Sequence, residues 1–91
     1  MKRLRKTPSD QLAHVGRVLY GEHWRLALAR GVQVNDDTIR RWMTGRTDLP
    51  VDHGVFEDAL TLMRQRQREI ATAADDLERW IKLNAPSPNA S

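Results

Sequence analysis

Arg40 and Arg41 are the side chains of this sequence best equipped for chemistry, and the chemistry they suit is recognition. A guanidinium can offer two parallel N–H bonds to guanine O6 and N7, or to phosphate oxygens. Asn35, Asp36, Asp37 and Thr38 stand within two turns of them. Asn35 and Thr38 can bond base edges or phosphates. Asp36 and Asp37 can accept from cytosine N4, or hold the two arginines through neighbouring-turn pairs. Nothing points to a reaction. The sequence offers no nucleophile–base pair, no glycine-rich phosphate loop and no metal-ligand cluster, and capping or solvation accounts for Asp36, Asp37, Asp75 and Asp76. His14 and His23 lack a second ligand at metal spacing. The expectation is therefore a non-enzyme with no cofactor and no metal.

Two elements must position those residues. The stretch 25–43 reads as two short helices joined by a tight turn. The first carries Trp24, Ala27, Leu28 and Val32 on one side, with the small Ala29 where two helices cross closely. Asn35 can cap the second, running from Asp36 to about Thr44, by accepting from a first-turn amide. Asp36 and Asp37 lie where the helix dipole favours negative charge. Ile39, Trp42 and Met43 recur at spacings of three and four and form the inward face, turning Arg40 and Arg41 outward. Gly45 ends the helix. A short helix followed by a second, arginine-bearing one is the helix-turn-helix pattern, in which the second enters the DNA major groove. An ordinary helical hairpin with solvating arginines is the plainer alternative.

The run Leu19-Tyr20-Gly21-Glu22-His23-Trp24, then Ala27-Leu28-Ala29-Arg30, then Val34 to Trp42, resembles small bacterial and phage helix-turn-helix regulators of the Cro and phage-repressor type. The resemblance covers roughly residues 10–50 and rests on an Ala, a turn, a capping polar residue, Thr, a β-branched residue and Trp. It implies a DNA-binding transcriptional regulator. The sequence departs from it at Gln33, where the family turn usually has Gly. A left-handed conformation is harder for Gln, so a wider or slightly strained turn is expected, with Gly31 absorbing part of the strain.

Length and charge agree with a small binding module. Ninety-one residues suffice for one domain. A chain this short buries only about 60% of its unfolded surface, so oligomerisation would help it. There is no cysteine, which fits a reducing compartment, and with no apolar run of membrane-spanning length or signal-peptide pattern a cytoplasmic location is expected. Residues 1–50 hold ten Lys/Arg against five Asp/Glu, whereas residues 51–91 hold five against seven. The positive charge thus accompanies the helix-turn-helix and suits a polyanion.

The remaining segments supply contacts and assembly. Residues 1–6 read as a flexible basic arm, whose Lys2, Arg3, Arg5 and Lys6 can reach phosphates or a minor groove. Thr7, Pro8 and Asp10 form a helix start, with Thr7 as cap, Pro8 at the first position and Asp10 completing a capping box. Helix 1 then runs to about Tyr20, with Leu12, Val15 and Leu19 on one face and Val18 beside them. Gly16 inside it marks close packing, and Gly21 ends it. His23, Arg25 and Arg46 are further candidates for phosphate contact. After Asp48-Leu49-Pro50 a new helix begins, with Asp52 as a candidate cap. Residues 55–83 contain no Pro or Gly. Phe56, Leu60, Met63, Gln67, Ile70, Ala74, Leu77 and Ile81 recur at alternating spacings of four and three, a heptad repeat.

A single helix there would be roughly 43 Å long. Phe56, Leu60 and Met63 are expected to cover the bundle, leaving Met63, Gln67, Ile70, Ala74, Leu77, Trp80 and Ile81 as a dimer interface. A turn near residues 64–68 folding the chain back is the competing arrangement, but no helix breaker supports it. Residues 84–91 read as a disordered tail. The expected fold is all-α: a bundle of three to four short helices in residues 7–50, then a long C-terminal helix over 51–83. The expected function is sequence-specific binding of double-stranded DNA as a homodimeric repressor on an inverted repeat, with helix 35–44 in the major groove. An antitoxin-like module using the C-terminal helix on a protein partner, and a non-specific architectural DNA binder, are the alternatives.

Overall fold

The structure, a computed structural model, describes residues 7–85, so residues 1–6, with Lys2, Arg3, Arg5 and Lys6, and residues 86–91 lie outside the described part. It is all-helical: α1 (Pro8–Tyr20), α2 (Trp24–Val32), α3 (Asp36–Thr44) and α4 (Val55–Asn84). Helix α2 is central, packing against each of the other three. The core joins Leu12, Ala13 and Val15 of α1, Trp24, Leu28, Ala29 and Val32 of α2, Ile39 and Trp42 of α3, Leu49 of the following loop, and Val55 and Ala59 of α4. Full burial of a Leu or Ile side chain contributes about 1.5–3 kcal/mol, and Leu12, Leu28 and Ile39 are all completely buried. On α1 the buried set is Leu12, Ala13, Val15 and Gly16. Val18, expected beside the core face, is instead exposed, because it falls on the flank that no other helix covers.

The helix starts follow local chemistry. Thr7 caps α1 by accepting from the Asp10 amide at 3.0 Å, with Pro8 at the first turn, where no amide partner is missed. Ser9 Oγ donates to the Trp42 carbonyl at 3.0 Å, tying the start of α1 to the end of α3. Helix α4 is capped differently from expectation. Its Val55 amide is accepted by His53 Nδ1 at 3.0 Å, not by Asp52. The same imidazole meets the Trp42 ring edge-on, with centroids 5.0 Å apart, so one side chain caps α4 and covers the core.

Two glycines set interhelix distances. A Cβ on Gly16 would lie 2.2 Å from Trp24 Cε3, so only glycine lets the buried indole rest on α1. A Cβ on Gly31 would meet Leu62 Cδ1 at 2.8 Å and the Tyr20 hydroxyl at 2.9 Å. Gly31 therefore serves close approach to α1 and α4. It lies within helical α2 and does nothing to relieve the turn.

Helix α4 runs unbroken through the arginine-rich stretch 64–68, with no fold-back. It takes in Asn84, whose Nδ2 donates to the Trp80 carbonyl at 2.8 Å. Val55 and Ala59 are buried, and Phe56, Leu62 and Met63 pack partly against the core. Leu60, expected to cover the bundle, is instead 51% exposed. Position 60 lies about 100° round the helix from 59, so the two cannot face the same neighbour. Every residue from Arg64 to Ala85 is exposed. Among the described residues, no helix is long and apolar enough to cross a membrane.

Candidate nucleic-acid interface

The turn between α2 and α3 is tight and contains residues 33–35. Gln33 adopts the left-handed conformation, with φ 59° and ψ 44°, the only non-glycine residue with positive φ among those described. Its own amide donates to Arg30 O, and the Val34 amide to Ala29 O at 2.9 Å. This pair of bonds is the Schellman closure of a helix. The turn is not widened. The cost of a left-handed non-glycine residue, about 1–2 kcal/mol, falls on Gln33 itself.

Beyond the turn, Asn35 Oδ1 accepts from the Asp37 amide at 2.8 Å and caps α3. The helix closes at Gly45 with φ 81°, where a Cβ would be strained. Ile39 and Trp42 are buried and Met43 half-buried. The opposite face carries Asp36, Arg40, Arg41 and Thr44, all exposed, with Asp37 half-buried between them. Thr44 belongs to this face, a residue that the sequence analysis does not single out. Its spacing, four from Arg40 and three from Arg41, was the signal that marks it. Thr38, a candidate base reader, is half-buried on the flank. Asn35 has committed its carbonyl to the cap, leaving its amide N–H groups as donors.

One carboxylate organises both arginines. Asp37 Oδ1 bonds Arg40 Nη2, and Asp37 Oδ2 lies 2.8 Å from Arg41 Nη2. The hydrogen bond from Arg40, then the charge of Arg41, hold the Asp37 carboxyl below the usual carboxylate range. The same hydrogen bond raises Arg40 above its ordinary value. Asp37 therefore stays ionised at neutral pH and keeps both guanidinium groups paired. Each has five N–H donors, so most remain for another acceptor. Both guanidinium groups are exposed and Asp37 is only half-buried, and such pairs contribute little to stability. Their effect is orientation: two long side chains are held at one spacing on one face.

The neighbouring concavity, about 320 Å³, is lined by Glu22, His23, Arg25 and Leu26 around the start of α2 and by Asp36 and Arg40 of α3. The fold thus brings the phosphate candidates His23 and Arg25 beside the base-reading candidates Asp36 and Arg40. Glu22 and Leu26 join them, and neither stands out in the sequence. Arg46 lies past the other end of α3, where its amide donates to Arg41 O at 3.0 Å. Asp36 and Asp37 balance Arg40 and Arg41 on the α3 face, and Arg25 and Arg46 add cationic groups near its two ends, with Glu22 beside Arg25 in the concavity. Among the described residues no cluster of three His, Cys, Asp or Glu could hold a metal ion.

Comparison of the chain with protein-family models, with curated proteins and with solved structures gave no match.

Proposed function

We propose that this protein is a sequence-specific DNA-binding transcriptional regulator, a cytoplasmic homodimeric repressor that reads an inverted-repeat operator with α3 in the major groove. The observation that carries the proposal is the outward face of α3: Arg40 and Arg41 are braced by the single carboxylate of Asp37, and Arg40 lines one concavity with Arg25 of α2. Bracing favours readout, because a pre-oriented guanidinium loses less conformational freedom on bonding a base. Arg40 and Arg41 address guanine O6 and N7. Asp36 accepts from cytosine N4 or repels mismatched acceptors. His23, Arg25 and Arg46 contact phosphates and set register. Lys2, Arg3, Arg5 and Lys6 of the basic arm add salt-dependent affinity. Repression then needs only occlusion of polymerase.

The test is binding of the purified protein to DNA upstream of its own gene, beside a scrambled duplex, at two salt concentrations. Arg40→Ala and Arg41→Ala should each weaken specific binding by about 1–3 kcal/mol, roughly five- to 150-fold, with little loss on the scrambled duplex. Equal, salt-sensitive binding to both duplexes would indicate an architectural binder. No binding at low salt would end the DNA-binding reading.

A further inference from the structure

The part of α4 beyond the bundle exposes large apolar side chains that no other part of the described chain covers. Ile70 is 60% exposed, Leu77 57%, Trp80 61% and Ile81 50%. Most helical stability in proteins comes from packing an apolar face rather than from propensity. The occupant of that face is written in the charges. Residues 64–68 carry Arg64, Arg66 and Arg68 and no carboxylate, whereas residues 75–78 carry Asp75, Asp76 and Glu78 and no base. Intrahelical pairs leave the basic block largely uncompensated. Arg66 reaches Glu69 at 3.5 Å, but Arg64 and Arg68 form no ion pair among the described residues.

We infer that the exposed face of α4 takes a second copy of itself in antiparallel orientation, with a two-fold axis near residue 72. This deepens the homodimer of the proposed function and rests on that reading. The heptad positions are symmetric about that point: Met63 faces Ile81 of the second copy, Gln67 faces Leu77, and Ile70 faces Ala74. Arg64 then lies opposite Glu78 and Arg66 opposite Trp80, at the flanking positions that set helix orientation in coiled coils. The axis falls among Ala71, Ala73 and Ala74, small residues that let the helices approach closely. A parallel pair would gain one Gln67–Gln67 layer but would forgo both Arg64–Glu78 pairs, and would bring the 64–68 arginines of the two copies level with each other and the 75–78 carboxylates likewise. Two opposite-charge pairs at the seam favour the antiparallel arrangement over one amide layer.

The arrangement also accounts for Leu60. It faces away from its own bundle because it lies on the same seam, where the end of the second copy's α4 lands. The bundle-packed stretch of α4 is centred near Ala59, thirteen residues from the axis, so two bundles would stand about 40 Å apart along the helices. That is the scale of one turn of DNA, about 34 Å, between half-sites.

The chain has no cysteine, so single thiols report orientation. Gln67→Cys and Leu77→Cys are made separately in the full chain and treated with a short thiol-to-thiol crosslinker without DNA. The two variants mixed should crosslink, and neither should alone, because each residue's own counterpart would lie about 15 Å away along the axis. Arg64→Glu should weaken the dimer about tenfold, and adding Glu78→Arg should restore it. Self-crosslinking of either variant alone, a monomeric mass for the unmodified chain at tens of micromolar, or failure of the charge swap to restore association would overturn the inference. Binding to the upstream duplex that still depends on Arg40 and Arg41 would, in that event, leave the reading of α3 standing.

Discussion

Helix α4 is one continuous element in two environments. Residues 55–63 bury Val55 and Ala59 and pack Phe56, Leu62 and Met63 against the core, whereas residues 64–84 leave every side chain exposed. Both halves contain apolar residues at helical spacing, so periodicity alone does not separate them. What separates them is the reach of α1 and α2, which cover α4 no further than Tyr20, whose ring lies 5.8 Å from the Arg66 guanidinium. The first half belongs to a closed core that specifies one fold. The second is a surface that no other part of the described chain covers.

The contrast is broken most directly by truncating one isoleucine in each half of the molecule. Ile39→Ala in the core should cost about 2–5 kcal/mol, a large fraction of the stability of a small domain. Ile70→Ala, in the exposed half of α4, should leave the bundle's thermal transition at low concentration nearly unchanged and weaken self-association instead. Chemical denaturation and sedimentation read the two effects separately, and a large loss of bundle stability in Ile70→Ala would mean that the halves are not independent. Gly16→Ala sharpens the account of the core. Alanine gains about 1 kcal/mol in helix propensity, yet its Cβ overlaps the Trp24 ring, and overpacking costs about 1–3 kcal/mol. A net loss is expected, and a gain would show that the ring can shift.

Smaller effects are expected at the turn and the reading face. Gln33→Gly should stabilise the protein by about 0.5–1 kcal/mol, because glycine adopts the left-handed conformation without the Cβ penalty. An unchanged melting temperature would mean that the Gln33 side chain compensates the strain. Asp37→Asn should leave the fold nearly intact and release both arginines. Binding to the scrambled duplex should strengthen, discrimination should fall, and the salt dependence should steepen by about one contact. The pH dependence has a definite sign. The Asp37 carboxyl is lowered in the folded protein, so its contribution is complete above the ordinary carboxylate pKa near 4 and is lost only as pH falls through the depressed folded value. A carboxyl titration by NMR checks this, and a midpoint at or above 4 would count against the paired geometry.

Much of the candidate site was legible in the sequence because it is local. The cap at Asn35, the stop at Gly45, the inward Ile39 and Trp42 and the outward Arg40 and Arg41 all follow from spacing within eleven residues. That Asp37 alone would hold both arginines, with Asp36 left facing the concavity, needed side-chain geometry. Glu22 and Leu26 were not legible, since they join the site only through the placement of α2 against α3. The same applies to His53, which caps α4 while covering Trp42, and to Leu49, a loop residue buried by the helices on either side.

The sequence by itself determined where the four helices lie, because propensity, capping and the absence of breakers act over a few residues; the cap of α4 and its continuity rather than a fold-back were decided by the structure. Tertiary structure alone decided which faces are covered. Leu60 falls on the heptad pattern and Ala59 does not, yet Leu60 is exposed and Ala59 buried, and Val18, beside the apolar face of α1, is exposed too, because burial depends on the neighbour across the gap. Only packing shows that Gly16 makes room for Trp24, that Gly31 serves Leu62 and Tyr20, and that Gln33 takes the left-handed turn itself. Physically, helix formation is a property of one segment of chain, whereas exclusion of water belongs to two surfaces at once.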